Sequence, residues 1–339
     1  MFLFLGQGED QTLFKRIVTS FFLFTAFYCS AQLISLKPVD ITIAPLNFSP
    51  EVIKQNKIKS IVLDIVDKPD GAIIIDKDAT QGYVFDVNGR LINYYYTILN
   101  QVQVEEVDVP AIKKHGRIIR PATTKEVAKY INDTIKVNIF YDSINRIIAK
   151  RVKMGDYYDA YYYEYNQQGQ IHKEMHCRET NISENKNEFK MGVQKVLSSE
   201  TFEYTTLTPT QIKKQCLNDE GREYKKAIIN YDSKGNKVSE NYDFIVSWMR
   251  QENAFQYDEN GRLQEKTYTS NESGNLKEYS AYQYNPNGVL LEEKRFKNDE
   301  LTFEISYLYD ETFTFLKSEV SRDHKNASIG IVKLAYEYY

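Results

Sequence analysis

The stretch "HKEMHC", His172 to Cys177, offers the sequence's sharpest case for a bound metal. On a helix, His172 and His176 at i and i+4 would share a face and could ligate zinc, with Cys177 beside them. The stretch follows the turn glycine Gly169 and continues an alternating pattern, so it reads as strand. There, i and i+4 lie ~13 Å apart. The reading is therefore surface-strand residues and no metal site. His115 and His324 stand alone, without a serine or cysteine partner in a nucleophile motif. Glu292-Glu293 alternates with Lys294 and Arg295; facing carboxylates could hydrolyse a glycosidic bond, but nothing singles this pair out. No phosphate-binding loop or dinucleotide fingerprint occurs. A non-enzymatic protein without a cofactor is expected, with an uncharacterised hydrolase as the second alternative.

The elements that would position such residues repeat. "FQYDENGRL" at 255 reads as a strand entering a tight turn, and its relatives recur as "YVFDVNGRL" at 83, "IFYDSINRI" at 139 and "YQYNPNGVL" at 282. The anchor positions are Phe85, Tyr141, Tyr165, Tyr204, Tyr231, Tyr257, Tyr284, Tyr309 and Tyr338, giving a unit of about 26 residues. Two residues before each anchor stands another apolar residue, on the same face of a strand. Asp or Asn after the anchor suits the start of a type I turn. Gly89, Gly169, Gly235, Gly261 and Gly288 supply positive φ where the turn closes. An apolar residue returns six positions past most anchors; Tyr204 and Tyr231 depart from this, which predicts a bulge or longer loop in their units.

Units such as "YDENGRLQEKTYT" and "YDSKGNKVSENY" resemble the YD repeats of RHS-type proteins, with MORN-variant repeats a more distant likeness. The resemblance covers about residues 83–95 and 139–339, and only Tyr257 to Leu263 matches the motif in full. It implies long antiparallel β-ribbons that spiral, in some members closing into a shell around a toxin. About nine units are too few to enclose a cargo, and no toxin domain is read after them. The expected fold is all-β. It is an antiparallel meander of hairpin repeats forming an elongated curled sheet, with a small N-terminal α/β cap.

Residues 1–31 read as a signal peptide whose true start lies near position 13: Lys15 and Arg16, an apolar run, then Cys29-Ser30-Ala31. The cap spans 32–80, with the helix-entry signal "SPE" at 49–51. Repeats fill 81–339, interrupted at 96–134 by an insertion carrying a short helix. Cys177 and Cys216 occupy equivalent positions in adjacent units. In a meander that puts them ~9.5 Å apart, too far to bond, whereas a solenoid would make them neighbours. The meander is favoured, and hence free thiols.

Net charge of −4 gives no broad attraction for nucleic acid or anionic lipid, and no membrane span is read after the signal. An exported protein is expected, periplasmic, at the cell surface or extracellular. Of the 27 tyrosines, the anchor and minus-two rings read as core. Tyr94, Tyr95, Tyr242 and the cluster Tyr157, Tyr158, Tyr161, Tyr162 and Tyr163, with Trp248, read as candidate binding aromatics at the surface. They would meet an envelope protein or a carbohydrate. The alternative is a self-assembling envelope component using the terminal strand "KLAYEYY" at 333–339 as a free edge.

Overall fold

The computed structural model describes residues 32–339 except 115–116, 186–187 and 273; the signal segment and Cys29 lie outside the described residues. From Ile58 onward the chain is strand after strand, and each wall strand pairs antiparallel with the next wall strand. The last, Ser328–Tyr338, pairs on one side with Leu316–Asp323 and on the other with the first, Ile58–Pro69. The 18-stranded sheet is therefore a closed barrel. This corrects the elongated curled sheet. The edge assigned to 333–339 is likewise consumed, because that strand is paired on both sides. Closure removes the two open edges that a sheet of this length would otherwise present.

Each tight turn shows how the repeat bends its sheet. At the anchors the register slips, at Val84/Phe85, Phe140/Tyr141, Glu164/Tyr165, Gln256/Tyr257 and Gln283/Tyr284. The unit of Tyr231 bulges in the same way, at Asn230/Tyr231, and that of Tyr204 at Thr206/Thr208. Bulges thus belong to the repeat as a whole and not only to the units that depart from it. A bulge adds local twist, and repeated bulges on one rim curl a sheet toward closure.

Because strand directions alternate, the anchor turns all lie on one rim. Five of the anchor hydroxyls tie neighbouring hairpins together along it. Tyr141 donates to the Leu91 carbonyl at 2.8 Å, Tyr165 to Ile147 at 2.7 Å and Tyr204 to Ile171 at 2.9 Å. Tyr257 donates to Lys237 at 2.9 Å and Tyr284 to Leu263 at 2.7 Å. In the closing unit Tyr336 takes this role, donating to Leu316 at 2.6 Å, while Tyr338 is half exposed. The anchor assigned to Tyr338 is corrected accordingly. Tyr339 donates to the Phe85 carbonyl and joins the last unit to the first.

Leu33, Ile34, Ala44, Phe48, Val52 and Ile53 form one buried cluster with Ile61, Tyr83, Val137, Leu290, Ile305 and Leu316. Ile41 reaches the opposite wall, against Tyr163, Ile171, Phe202 and Cys216. A segment that touches strands all round the ring must lie inside it. Residues 33–55, including the helix Pro50–Gln55, therefore fill the lumen at the tyrosine rim. This corrects the cap in two respects: its first part is a plug, and 58–69 and 75–80 are barrel wall. The region 96–134 carries no helix among its described residues. It is the upper part of a long hairpin, Leu91–Val109 with Thr123–Tyr141, tipped by the small sheet Ile112–Lys114/Arg117–Arg120.

Candidate functional site

Strand register separates the two faces of the wall. Tyr307 and Ile305 are buried inside, and their partners Glu293, Arg295, Tyr282 and Ser280 share that face. Above the plug, part of the lumen remains a cavity of ≈ 770 Å³. Its floor is built from 34–47, and its wall includes Asn253, Phe255, Lys266, Tyr268, Glu278, Ser280, Tyr282, Arg295, Lys297 and Phe303. It reaches Asp323, Lys325 and Asn326 at the far rim. Six lining residues are cationic (Lys37, Lys237, Lys266, Arg295, Lys297 and Lys325) against four acidic ones (Glu240, Glu278, Glu293 and Asp323).

Several of these charges are spoken for. Glu293 is buried and accepts from Arg295 Nε at 2.7 Å and from the Tyr307 hydroxyl at 3.0 Å. Burial, reinforced by the Glu293 charge, holds the Tyr307 phenol far above its ordinary range. Burial also pushes the Tyr282 phenol up to about 12. Both rings are thus hydrogen-bond donors at any physiological pH. Lys237 is held between Asp40 of the plug at 3.0 Å and Glu240 at 3.6 Å, and Lys297 lies 3.4 Å from Glu278. Lys266 sits between Phe255 and Ser280 across its two neighbouring strands. It carries none of these ion pairs and is exposed.

The cluster at 155–166 is split by strand alternation. Tyr157, Tyr161 and Tyr163 face the lumen. The Arg178 guanidinium lies 4.2 Å over Tyr157, Tyr161 stacks on His176 at 4.5 Å, and Tyr163 is buried. Tyr158 and Tyr162 face outward. Tyr158 is buried beneath Phe189, whose ring lies 4.7 Å away, and Tyr162 donates to the fully buried Glu179. Tyr158 and Tyr163 are therefore not surface rings, because Phe189 covers one and the plug abuts the other. Tyr94 is also buried, its ring tilted against Tyr83 with centroids 5.0 Å apart. Trp248 is 84% exposed, at the tip of a far-rim turn.

His172 and His176 share the strand Ile171–Asn181 but do not converge on one point. His172 Nδ1 meets the Phe202 carbonyl at 3.2 Å, and His176 Nε2 lies 3.5 Å from Asp159 Oδ1. Cys177 and Cys216 are buried free thiols on opposite faces, the first beside outward Ala160 and the second beside inward Phe202. Among the described residues, no group of three or more His, Cys, Asp or Glu could hold a metal ion.

The outer wall is polar. Lys294 opposes Glu304 across one strand pair, 3.3 Å apart, and Lys226 opposes Asp243 across another. Glu252 with Thr269 and Asn241 with Glu252 continue the same face. A bilayer-spanning barrel needs an apolar outer band, since each Lys or Arg at its midplane costs ~2–4 kcal/mol.

The arginine of the motif and the plug were not read from the sequence. Arg90, Arg146 and Arg262 each pair with the turn aspartate four residues earlier and lie over the next anchor ring. The distances are 4.9 Å to Tyr141, 4.4 Å to Tyr165 and 5.1 Å to Tyr284. The available signal is an arginine five residues past the anchor, at Arg90, Arg146 and Arg262. For the cavity, the signal was charge at positions sharing the face of the minus-two aromatics.

No protein family matches the sequence, and no curated protein matches it. Among solved structures, a porin-like protein from Bacteroides uniformis ATCC 8492 is 11% identical. That comparison covers 83% of this chain and 97% of the other, with a TM-score of 0.35. A porin-like protein from Bacteroides vulgatus ATCC 8482 is 10% identical over 60% of this chain and 95% of the other, at 0.26. The complex TcdB2-TccC3-Cdc42 is 12% identical over 77% of this chain and 15% of the other, at 0.22. At these scores the barrel is defined by its own strand pairings, and the RHS-type resemblance by the repeat residues.

Proposed function

We propose that the chain is an exported, non-enzymatic binding protein whose lumen takes an acidic saccharide of the cell envelope. One observation carries this reading. The cavity combines ring faces at Phe255, Tyr268 and Tyr282 with the unpaired ammonium of Lys266 and the hydroxyl of Ser280. Ring faces pack against sugar rings, while a few fixed polar groups set orientation. The excess of cations over acids in the lining favours an anionic group on the ligand. Calorimetric titration with neutral and acidic oligosaccharides tests it. Saturable binding of an acidic one, lost in Lys266→Ala, supports the reading. Absence of binding across the acidic panel, or binding indifferent to Lys266→Ala, sinks it.

A further inference from the structure

Two strands keep an edge that closure of the ring does not use. Met191–Thr208 pairs with Ile171–Asn181 on one side, but on the other Gln211–Leu217 meets it only from Thr201 onward. Residues 191–200 therefore have a free edge among the described residues. Met191, Val196 and Leu197 are exposed along it, and Val193 is 70% exposed. The second free edge belongs to the long hairpin, which stands beyond the rim opposite the tyrosine turns. Its first strand parts from Ile75–Phe85 after Tyr96, and residues 101–109 then pair only with 123–131. Val102 and Val107 are exposed here, and Val104 is 65% exposed. The base of this arm is pinned, with Asn132 Nδ2 donating to the Lys77 carbonyl at 2.7 Å.

Uncovered apolar edges are templates for an added strand, and a two-stranded ribbon is marginal in water without a third. The two edges carry opposite charge. Lys190 and Lys195 stand in the first, with no acidic residue between Glu188 and Glu200. Glu105, Glu106 and Asp108 stand in the second, with no lysine or arginine between Arg90 and Lys113. Lys129 on the hairpin's second strand meets Glu105 at 2.9 Å, and no described cation pairs with Glu106 or Asp108. Charges guard an edge against its own kind, because like charges across a strand pair repel. Guards of opposite sign instead favour pairing of one edge with the other. Within one copy that pairing is closed off. Five strand pairings lie between the two strands round the wall, and each free edge is on the side away from the other.

We propose that copies of this chain associate by strand addition, the arm of one adding its residues 101–109 to the 191–200 edge of another. A contact between unlike edges closes as a ring, a reciprocal pair being the smallest, or grows as a chain. It is independent of what the lumen binds.

Sedimentation velocity of the purified chain over a concentration series tests it. Mass rises with concentration in multiples of the chain, and association weakens as salt rises. Lys190→Glu with Lys195→Glu, or Glu106→Lys with Asp108→Lys, each weakens association at least about tenfold. All four positions are exposed, so these variants keep the fold. The chain carrying all four reversals recovers most of the parent's association, because its two edges are again of opposite sign. A monomer at every concentration, association unchanged in either double variant, or no recovery in the fourfold variant overturns the proposal.

Discussion

The Tyr284 hydroxyl donates to the Leu263 carbonyl at 2.7 Å and so ties one hairpin to the hairpin before it. The Arg262 guanidinium, bonded to Asp258, covers the ring of the same tyrosine at 5.1 Å. The motif Tyr-Asp-x-x-Gly-Arg-Leu is thereby explained residue by residue. Tyrosine reaches back, aspartate and glycine shape the turn, and arginine reaches forward to the next unit's tyrosine.

Tyr284→Phe keeps the ring and removes only the hydroxyl. It should lower unfolding stability by ~1 kcal/mol, the worth of one hydrogen bond, through the orphaned carbonyl of Leu263. Tyr338→Phe, at a half-exposed ring, should lie within ~0.5 kcal/mol of the parent. Urea midpoints measure both, and equal effects would show that the rim bonds contribute nothing.

Two turn glycines should respond differently to alanine. Gly261 has φ of 78° and open space around it, so Gly261→Ala should cost ~1–2 kcal/mol for the left-handed backbone alone. At Gly89, φ is 83° and an added Cβ would lie 2.0 Å from the Pro50 carbonyl oxygen. Gly89→Ala must also push the plug helix, adding ~1–3 kcal/mol. Paired denaturation curves check the order, and equal costs would mean that the plug does not sit against that turn.

On the outer wall, Glu179 is fully buried and bonded to Arg151 Nε at 2.8 Å and Gln194 Nε2 at 2.9 Å. Arg151→Met strands that carboxylate and should cost ~3–5 kcal/mol. The double variant with Glu179→Leu should recover most of the loss, since the unpaired charge is gone. A double variant no better than the single one would contradict this account of the network.

Turn carboxylates make the barrel acid-sensitive. Backbone N–H and side-chain donation from Arg146 hold Asp142 below the ordinary carboxylate range, and donation from Asn236 does the same for Asp232. At Asp258, burial works upward but is outweighed by the Arg262 donors. Groups held low stabilise the fold fully above their unfolded pKa of ~3.9. That stabilisation disappears as the pH falls through the folded value. Urea midpoints should be flat near neutrality and drop in acid, and Asp142→Asn with Asp258→Asn should make the drop shallower. An unchanged slope would place the acid sensitivity elsewhere.

The repeat unit was legible because its parts are local. Asp258, Gly261 and Leu263 must stand at fixed offsets from Tyr257 for a five-residue turn to close, so each leaves a mark in sequence. Closure leaves no such mark. It depends on Asp64 meeting Lys333, two residues whose own surroundings read the same in an open sheet. The plug was hidden for a related reason. Leu33, Ile34 and Phe48 are as apolar as a cap's own core would require, and only the structure shows that their partners are the barrel wall. At 155–166 the alternation was visible, but which face held the lumen was not. Tyr157 and Tyr158 were therefore read alike although they point to opposite sides.

Closure is also what makes a lumen, and its most direct test is a disulfide across the seam. Asp64 and Lys333 are direct partners on the outer wall, where antiparallel Cα atoms stand ~4.5–5.5 Å apart. A disulfide spans that distance. Asp64→Cys with Lys333→Cys, mildly oxidised and mapped by mass spectrometry, should give the 64–333 bridge in near-quantitative yield without loss of folded protein. Two free thiols at these positions in the folded chain would mean that the first and last strands do not meet, and the barrel with its lumen would fall.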